Sequence, residues 1–462
     1  MIPLSVAEVA ALTDGRLEDG LDPDAIVTGA VVVDSREVSP GCLFVAVRGE
    51  RVDGHDFAAA ATAAGAVAVL AERPVGVPAV VVAGSVTALG ELARAVVDRL
   101  DNAAVVAVTG SSGKTGTKDL LSQVLVARGP LVAPHGSFNT EIGLPLTVLA
   151  ADLQTRTLVL EMGARGLGHI AQLCRIAQPS VGVVLNVGSA HLGEFGDRET
   201  IARAKAELVQ SLPVDGTAVL NGDDPMVRRM ADVTAARVLM VGTSVHADVR
   251  AEDVTLDDHG RPSFRLIAPD GTAAVALTLV GEHHVANALA TAGAAHALGL
   301  AVDVVAAELN RARAISRWRM EVTERPDGVT VVNDAYNANP ESMRAALKAL
   351  VAMAGGRRTW AVLGEMRELG DSSNADHDAL GRIAVRLDVS RLVAVGSAAK
   401  AIHLGAAHEG SWADEAAWVP DIEAALDLLR EQLRPGDVVL VKASRAAGLE
   451  RLAEALLAEG AA

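Results

Sequence analysis

Short apolar runs alternate with stretches of helical spacing along most of the chain. That alternation predicts an α/β protein with largely parallel strands. In the first hundred residues, Ser5 and Glu8 have capping-box spacing for an opening helix. Val31–Val33, Leu43–Val47 and Val80–Val82 read as strands, and Ser85 is expected to cap a helix running to about Leu100. The apolar stretch Phe57–Ala71 reads as a helix, a turn at Gly65 and a buried strand. After a joint at Asp101-Asn102, strands are expected at Val105–Val108, Thr157–Glu161, Val181–Asn186, Ala218–Leu220 and Val238–Val241. Between His246 and Val280 the period changes to strict alternation around Pro269-Asp270-Gly271, which predicts antiparallel hairpins. A helix over Val285–Leu298 follows. A third α/β unit begins near Arg313, with strands at Val329–Val332, Trp360–Leu363, Leu392–Val395 and Val438–Val441. The expected division is 1–100, 101–313 and 314–462, in line with a prior of about three domains for this length.

Composition narrows the function. The hydrophobic share is 50% but the aromatic share only 2%, so Ala, Val and Leu must fill the cores. The net charge is −17, from 41 basic and 58 acidic residues, which argues against nucleic-acid binding. It leaves phosphorylated small molecules open, because a few placed cations can hold them. Cys42 and Cys174, far apart, suggest no disulfide and a reducing cytoplasm. No basic segment followed by an apolar one opens the chain, and Phe57–Ala71 is too short to span a bilayer. Neither a signal peptide nor membrane insertion is expected.

The strongest chemical signal is Thr109-Gly110-Ser111-Ser112-Gly113-Lys114-Thr115, between an apolar strand and an amphipathic segment. Glycines there let backbone N–H groups approach oxyanions, and a helix N-terminus adds partial positive charge. Lys114 is placed for terminal phosphates and the Thr115 hydroxyl for magnesium. The usual longer loop would have a glycine where Val108 stands. Glu161 and Asn186 end later strands, where open α/β sheets collect ligands. His191 follows in a loop of small residues, and is either functional or a loop histidine capping the backbone. Asn139 is either a turn residue or a substrate contact, and Asn287 either caps its helix or reads a base edge. By periodicity Lys205 is a solvated helix lysine. The loop Asn333–Met343 has unusual polar density, with Asp334, Asn337 and the only tyrosine, Tyr336. Arg317 and Arg319 flank Trp318 at the last joint.

Taken together these segments resemble the Mur ligase family over essentially the whole chain. The resemblance rests on Asp34–Gly41, Asp53-Gly54-His55, the Thr109–Thr115 loop, Asn186–Gly196, Asp334–Met343, Leu363–Gly370 and Leu440–Arg445. Asp-x-Tyr-Asn-Ala-Asn-Pro points to the branch that adds D-alanyl-D-alanine to UDP-N-acetylmuramoyl-tripeptide. The alternatives are a diamino-acid-adding relative, whose Asp-Asn-Pro-Arg motif is missing, and a nucleotide-dependent switch ATPase.

The resemblance implies a small uridine-nucleotide domain, a central ATPase domain of P-loop type and a Rossmann-like C-terminal domain. It implies that Gly110, Ser111, Ser112, Gly113, Lys114, Thr115 and Gly116 hold ATP phosphates, with Asn287, Arg319 and Asp334 as further nucleotide contacts. Thr115, Glu161 and His191 become magnesium ligands. Lys205, against its periodicity, becomes a lysine carbamylated by CO2 and bridged to a second magnesium. Lys114, Lys205 and His191 are the implied catalytic residues. Ser35, Arg36, Asn139, Tyr336 and Asn337 are the implied substrate contacts. A cytoplasmic monomer whose third domain closes on the second is expected.

Overall fold

The computed structural model describes residues 1–462 apart from 19, 50–51, 135, 189–191, 412–414 and 460–462. Parallel pairing dominates wherever a helix separates two strands. In the N-terminal part, a five-stranded sheet runs Arg16–Leu17, Ala79–Val81, Ala68–Ala71, Leu43–Val45, Val31–Val32. Phe57–Ala71 folds as expected: helix Ala58–Ala63, Gly65 in the left-handed region at φ +105°, then the buried strand Ala68–Ala71. The Ser5–Glu8 capping box is present. Ser85 is not a cap. It is the first helical residue, its hydroxyl is buried with no partner among the described residues, and its N–H donates to Glu72 Oε1 at 3.1 Å. A distant carboxylate has taken the task that local sequence assigned to serine.

The central sheet has nine strands in the order Gly271–Ala276, Pro262–Ala268, Val249–Leu256, Arg237–Gly242, Thr217–Asn221, Val181–Val184, Ala104–Thr109, Thr157–Glu161, Leu131–Val132. Its first three strands form the expected antiparallel part. The strand order reverses at Ala104–Thr109. Later strands lie on both sides of it, so a crevice opens at its C-terminal end. Val106 and Val108 pack with Leu120, Leu121 and Val124 of the helix Lys114–Val124 and with the helix His283–Ala297. Val105 and Ala107 face the other layer, a core shared with the N-terminal helix Ser85–Asp98. That shared core packs Leu89, Leu92 and Val96 with Leu144, Val148, Ile170 and Leu173, which fixes the first sheet against the second.

The C-terminal sheet runs Glu321–Glu324, Thr330–Asn333, Val438–Lys442, Thr359–Leu363, Arg391–Val395, Ala416–Val419. The edge strand Glu321–Glu324 is antiparallel and fully exposed, so no buried apolar face marked it in the sequence. Both cysteines are buried and free. No helix among the described residues is long and apolar enough to cross a membrane.

Candidate active site

The site is assembled around the turn that follows Ala104–Thr109. Gly113 ends this turn in the left-handed region at φ +82°, and a Cβ there would lie 2.7 Å from Asn287 Oδ1. Only glycine meets both conditions. The helix starting at Lys114 has no side-chain cap, so its first N–H groups point into the crevice. The turn is held from the neighbouring strand end. Asn186 Oδ1 accepts from Ser112 N at 2.9 Å, and Asn186 Nδ2 donates to Ser112 O at 3.1 Å. Ser111 N donates to Asn186 O, and Gly188 N donates to Ser111 Oγ at 2.9 Å.

Lys114 folds back over the loop and donates to Gly110 O at 2.8 Å. Burial lowers its pKa, Glu161 opposes that shift and Arg319 adds to it. The Thr115 hydroxyl donates to Glu161 Oε2 at 3.1 Å and lies 3.0 Å from Ser137 Oγ. Glu161 is buried, and its other oxygen accepts from Asn139 Nδ2 at 2.8 Å. One carboxylate and two hydroxyls converge here, an oxygen donor set that suits a hard divalent cation completed by water and phosphate oxygens. His191 lies outside the described residues. Lys205, on the helix Arg198–Gln210, is only 6% exposed, which overturns the solvated reading of its periodicity. Burial, with a smaller contribution from Lys114, lowers its pKa to about 7.

The C-terminal domain reaches into the same crevice. Arg319 Nη2 lies 3.2 Å from Thr115 Oγ1, and its Nε is buried with no hydrogen-bond partner among the described residues. The guanidinium stacks on Tyr336, 4.2 Å from the ring centre. Its neighbours Trp318 and Met320 both have positive φ, so the backbone is bent sharply at this joint. Asp334 accepts from Met320 N at 3.1 Å and pairs with the buried Lys442 at 2.6 Å. Lys442 also donates to Asn337 O at 2.9 Å, while Asn337 Oδ1 accepts from Ala338 N. Asn339 Nδ2 donates to Ser111 O at 3.3 Å. Asn287 is buried over the loop, where its Oδ1 accepts from Thr117 Oγ1 at 3.3 Å. Beside it lies a cavity of about 410 Å³, lined by Gly116, Asp119, His284, Arg313, Arg319 and Met320 among others. Burial keeps His284 neutral there.

The structure therefore gathers Gly110–Gly116, Asn139, Glu161, Lys205, Asn287, Arg319, Asp334 and Tyr336 around one interdomain crevice. Ser35 and Arg36 lie instead in the turn that follows the edge strand Val31–Val32 of the N-terminal sheet. There Asp34 caps the short turn Ser35–Glu37 and binds the Arg36 guanidinium at 2.5 Å. Ser137, Asn339 and Lys442 are functional candidates that residue-by-residue reading did not select. For Asn339 and Lys442 the signal was position, since each lies in a motif segment at or after a strand end, whereas Ser137 lies in the loop after Leu131–Val132, outside those segments.

Three family models match consecutive parts of the chain: the Mur ligase family catalytic domain at 29–109, the Mur ligase middle domain at 108–295 and the Mur ligase glutamate ligase domain at 318–445. The UDP-N-acetylmuramoyl-tripeptide–D-alanyl-D-alanine ligase of Mycobacterium tuberculosis is 52% identical, covering 99% of this chain and 98% of its own. The enzyme of that name from Escherichia coli is 34% identical over all of both chains. A crystal structure of MurF from Acinetobacter baumannii superposes with a TM-score of 0.89 at 31% identity, covering 99% of each chain. MurF ligase from Thermotoga maritima, in complex with ADP, superposes with a TM-score of 0.82 at 34% identity, over 94% of this chain and 98% of its own. The chain belongs to the Mur ligase family.

Proposed function

We propose that this protein is an ATP-dependent ligase that joins D-alanyl-D-alanine to UDP-N-acetylmuramoyl-tripeptide, giving the pentapeptide precursor of peptidoglycan. The observation that carries this reading is the meeting of Arg319 and Asn339, from the C-terminal domain, with Thr115 and Ser111 of the glycine loop. A site shared in this way can hold a nucleotide against a second substrate and exclude water from both. The relatives' names identify what that second substrate is.

The chemistry follows from the reactants. A carboxylate does not react with an amine in water, so its oxygen must first be made part of a good leaving group. The tripeptide carboxylate attacks the γ-phosphorus of ATP, the bond to the β-bridging oxygen breaks, and ADP leaves with that electron pair. The acyl phosphate is then attacked by the dipeptide amine. The tetrahedral adduct loses a proton and expels phosphate, leaving the amide.

Loop N–H groups and Lys114, swung away from Gly110 O, hold the phosphate oxygens. The free Nε of Arg319 faces the charge that accumulates during transfer. Asn287 and the adjoining cavity take the base, and Asp334 the ribose. Thr115 and Glu161, with Ser137 between loop and guanidinium, would hold magnesium, which supplies charge neutralisation at the transferring group. Lys205, whose pKa of about 7 leaves a large share of its amine uncharged at neutral pH, could add CO2: its nitrogen would bond to carbon, a proton would leave to water, and the carbamate would offer a further oxygen donor to the cation. Ser35 and Arg36 contact the uridine nucleotide, and Asn139, Tyr336 and Asn337 face the peptide end. The protein acts as a cytoplasmic monomer.

Phosphate release with UDP-N-acetylmuramoyl-tripeptide, with and without D-alanyl-D-alanine, tests the reading. Release that depends on the dipeptide supports it. Release indifferent to the dipeptide removes it.

A further inference from the structure

The grip of Asn186 and Gly188 on the loop serines depends on the peptide between them. Val187 is 1% exposed, so both its backbone polar groups need partners inside the protein. Its N–H donates to Asp224 Oδ2 at 2.8 Å, and its carbonyl accepts from Arg198 Nη2 at 2.6 Å. Both partners are charged groups, which make the stronger class of hydrogen bond. They come from different elements: Asp224 follows the strand Thr217–Asn221, and Arg198 opens the helix that carries Lys205.

We infer that Asp224 and Arg198 are positioning residues for the nucleotide phosphates, acting through Val187. The route is short. Asp224 and Arg198 fix Val187, its neighbours Asn186 and Gly188 fix Ser111 and Ser112, and those serines set the turn that presents the helix N-terminus. Asn221 adds support by donating from Nδ2 to Leu185 O at 2.8 Å. Stabilising its own helix does not account for Arg198, since a cation in the first turn opposes the helix dipole.

Asp224 also caps the short helix Pro225–Arg228: its Oδ1 accepts from Met226 N at 2.8 Å and from Val227 N at 3.3 Å. Capping and bracing use different oxygens, and this makes them separable. Serine is a good cap but too short to reach Val187 as well.

The proposal rests on the reading of Gly110–Thr115 as a phosphate cradle. ADP binding to the full-length protein, followed by calorimetry in chelator, tests both and separates them. Wild-type protein that fails to bind ADP removes the cradle reading. If it binds, Asp224→Ser and Asp224→Ala are expected to share a loss of about tenfold in ADP affinity, while Asp224→Ser melts higher than Asp224→Ala. Arg198→Gln, which leaves the carboxylate in place, is expected to lose about threefold with an unchanged melting temperature. Binding of the uridine-nucleotide substrate should stay at the wild-type level in all three. Wild-type ADP affinity in both Asp224→Ser and Arg198→Gln overturns the proposal. So does a loss confined to Asp224→Ala, which would make Asp224 a helix cap only.

Discussion

Arg319 and Thr115 lie 204 residues apart in sequence and 3.2 Å apart in space. The contact crosses from the C-terminal joint to the first turn of the loop helix. It places a guanidinium with a free Nε beside a hydroxyl that already binds Glu161. Arg319→Ala should therefore lower kcat by about 10²-fold or more, as removal of a preorganised charge donor does. Circular dichroism and melting should stay near wild type, because the guanidinium's contacts are with the site. Unchanged turnover would show that Arg319 plays no part in phosphoryl transfer.

Glu161 combines deep burial with two donors, Asn139 Nδ2 and Thr115 Oγ1. A carboxylate so placed is costly without a cation nearby. Glu161→Gln is expected to raise the magnesium concentration needed for half-maximal activity and to cut kcat by about 10²-fold or more. Fold stability should fall modestly, since Glu161 is the carboxylate that offsets the burial of Lys114. A titration curve for magnesium that matches wild type would contradict this role.

Lys205 gives a pH signature. Its pKa in the folded protein is about 7, against the usual lysine value of 10.5. Between these values the unfolded chain binds more protons at this position than the folded one. Stability from this group therefore rises with pH across that window and is lost as pH falls to about 7. The difference in melting temperature between wild type and Lys205→Met should follow that course. Activity should fall below about pH 7, where the amine charges and cannot add CO2. Lys205→Ala should lose most activity and regain part of it with short carboxylic acids. Full activity in Lys205→Ala would remove the carbamate.

Lys442 and Asp334 form an ion pair buried on both sides. Removing one partner strands the other charge, so Lys442→Met should cost about 3–5 kcal/mol in chemical denaturation. The double variant Lys442→Met, Asp334→Asn should recover much of that loss, though not nucleotide affinity. Equal stability in single and double variants would show that the pair is uncoupled.

The sequence makes some of these features readable and hides others for a physical reason. The phosphate turn is legible because its determinants are local: a strand, two glycines and a helix start within about ten residues. The antiparallel edge at 249–276 is legible from its alternation and its Pro-Asp-Gly turn. Lys205 is not, because helical spacing gives the face a residue occupies but not what covers that face. Only the family resemblance singled it out. Asp224 and Arg198 are silent for a different cause: both act on the backbone of Val187, and a peptide group has no side-chain identity to pair with. The strand Glu321–Glu324 escapes because all four of its residues are exposed and no buried apolar face marks it, although its partner Thr330–Asn333 is the next strand in the chain. The Glu72 contact at Ser85 escapes because the carboxylate comes from outside the helix it serves.

The central claim is that ATP activates a carboxylate here, and the fate of one oxygen atom tests it most directly. The tripeptide is labelled with ¹⁸O in the reacting carboxylate and turned over with ATP and D-alanyl-D-alanine, and the released phosphate is analysed by mass spectrometry. An acyl phosphate passes one carboxylate oxygen to phosphate in each turnover, so label should appear there in step with amide formation. Phosphate released without label would mean that water, not the carboxylate, attacks ATP, and would contradict the account.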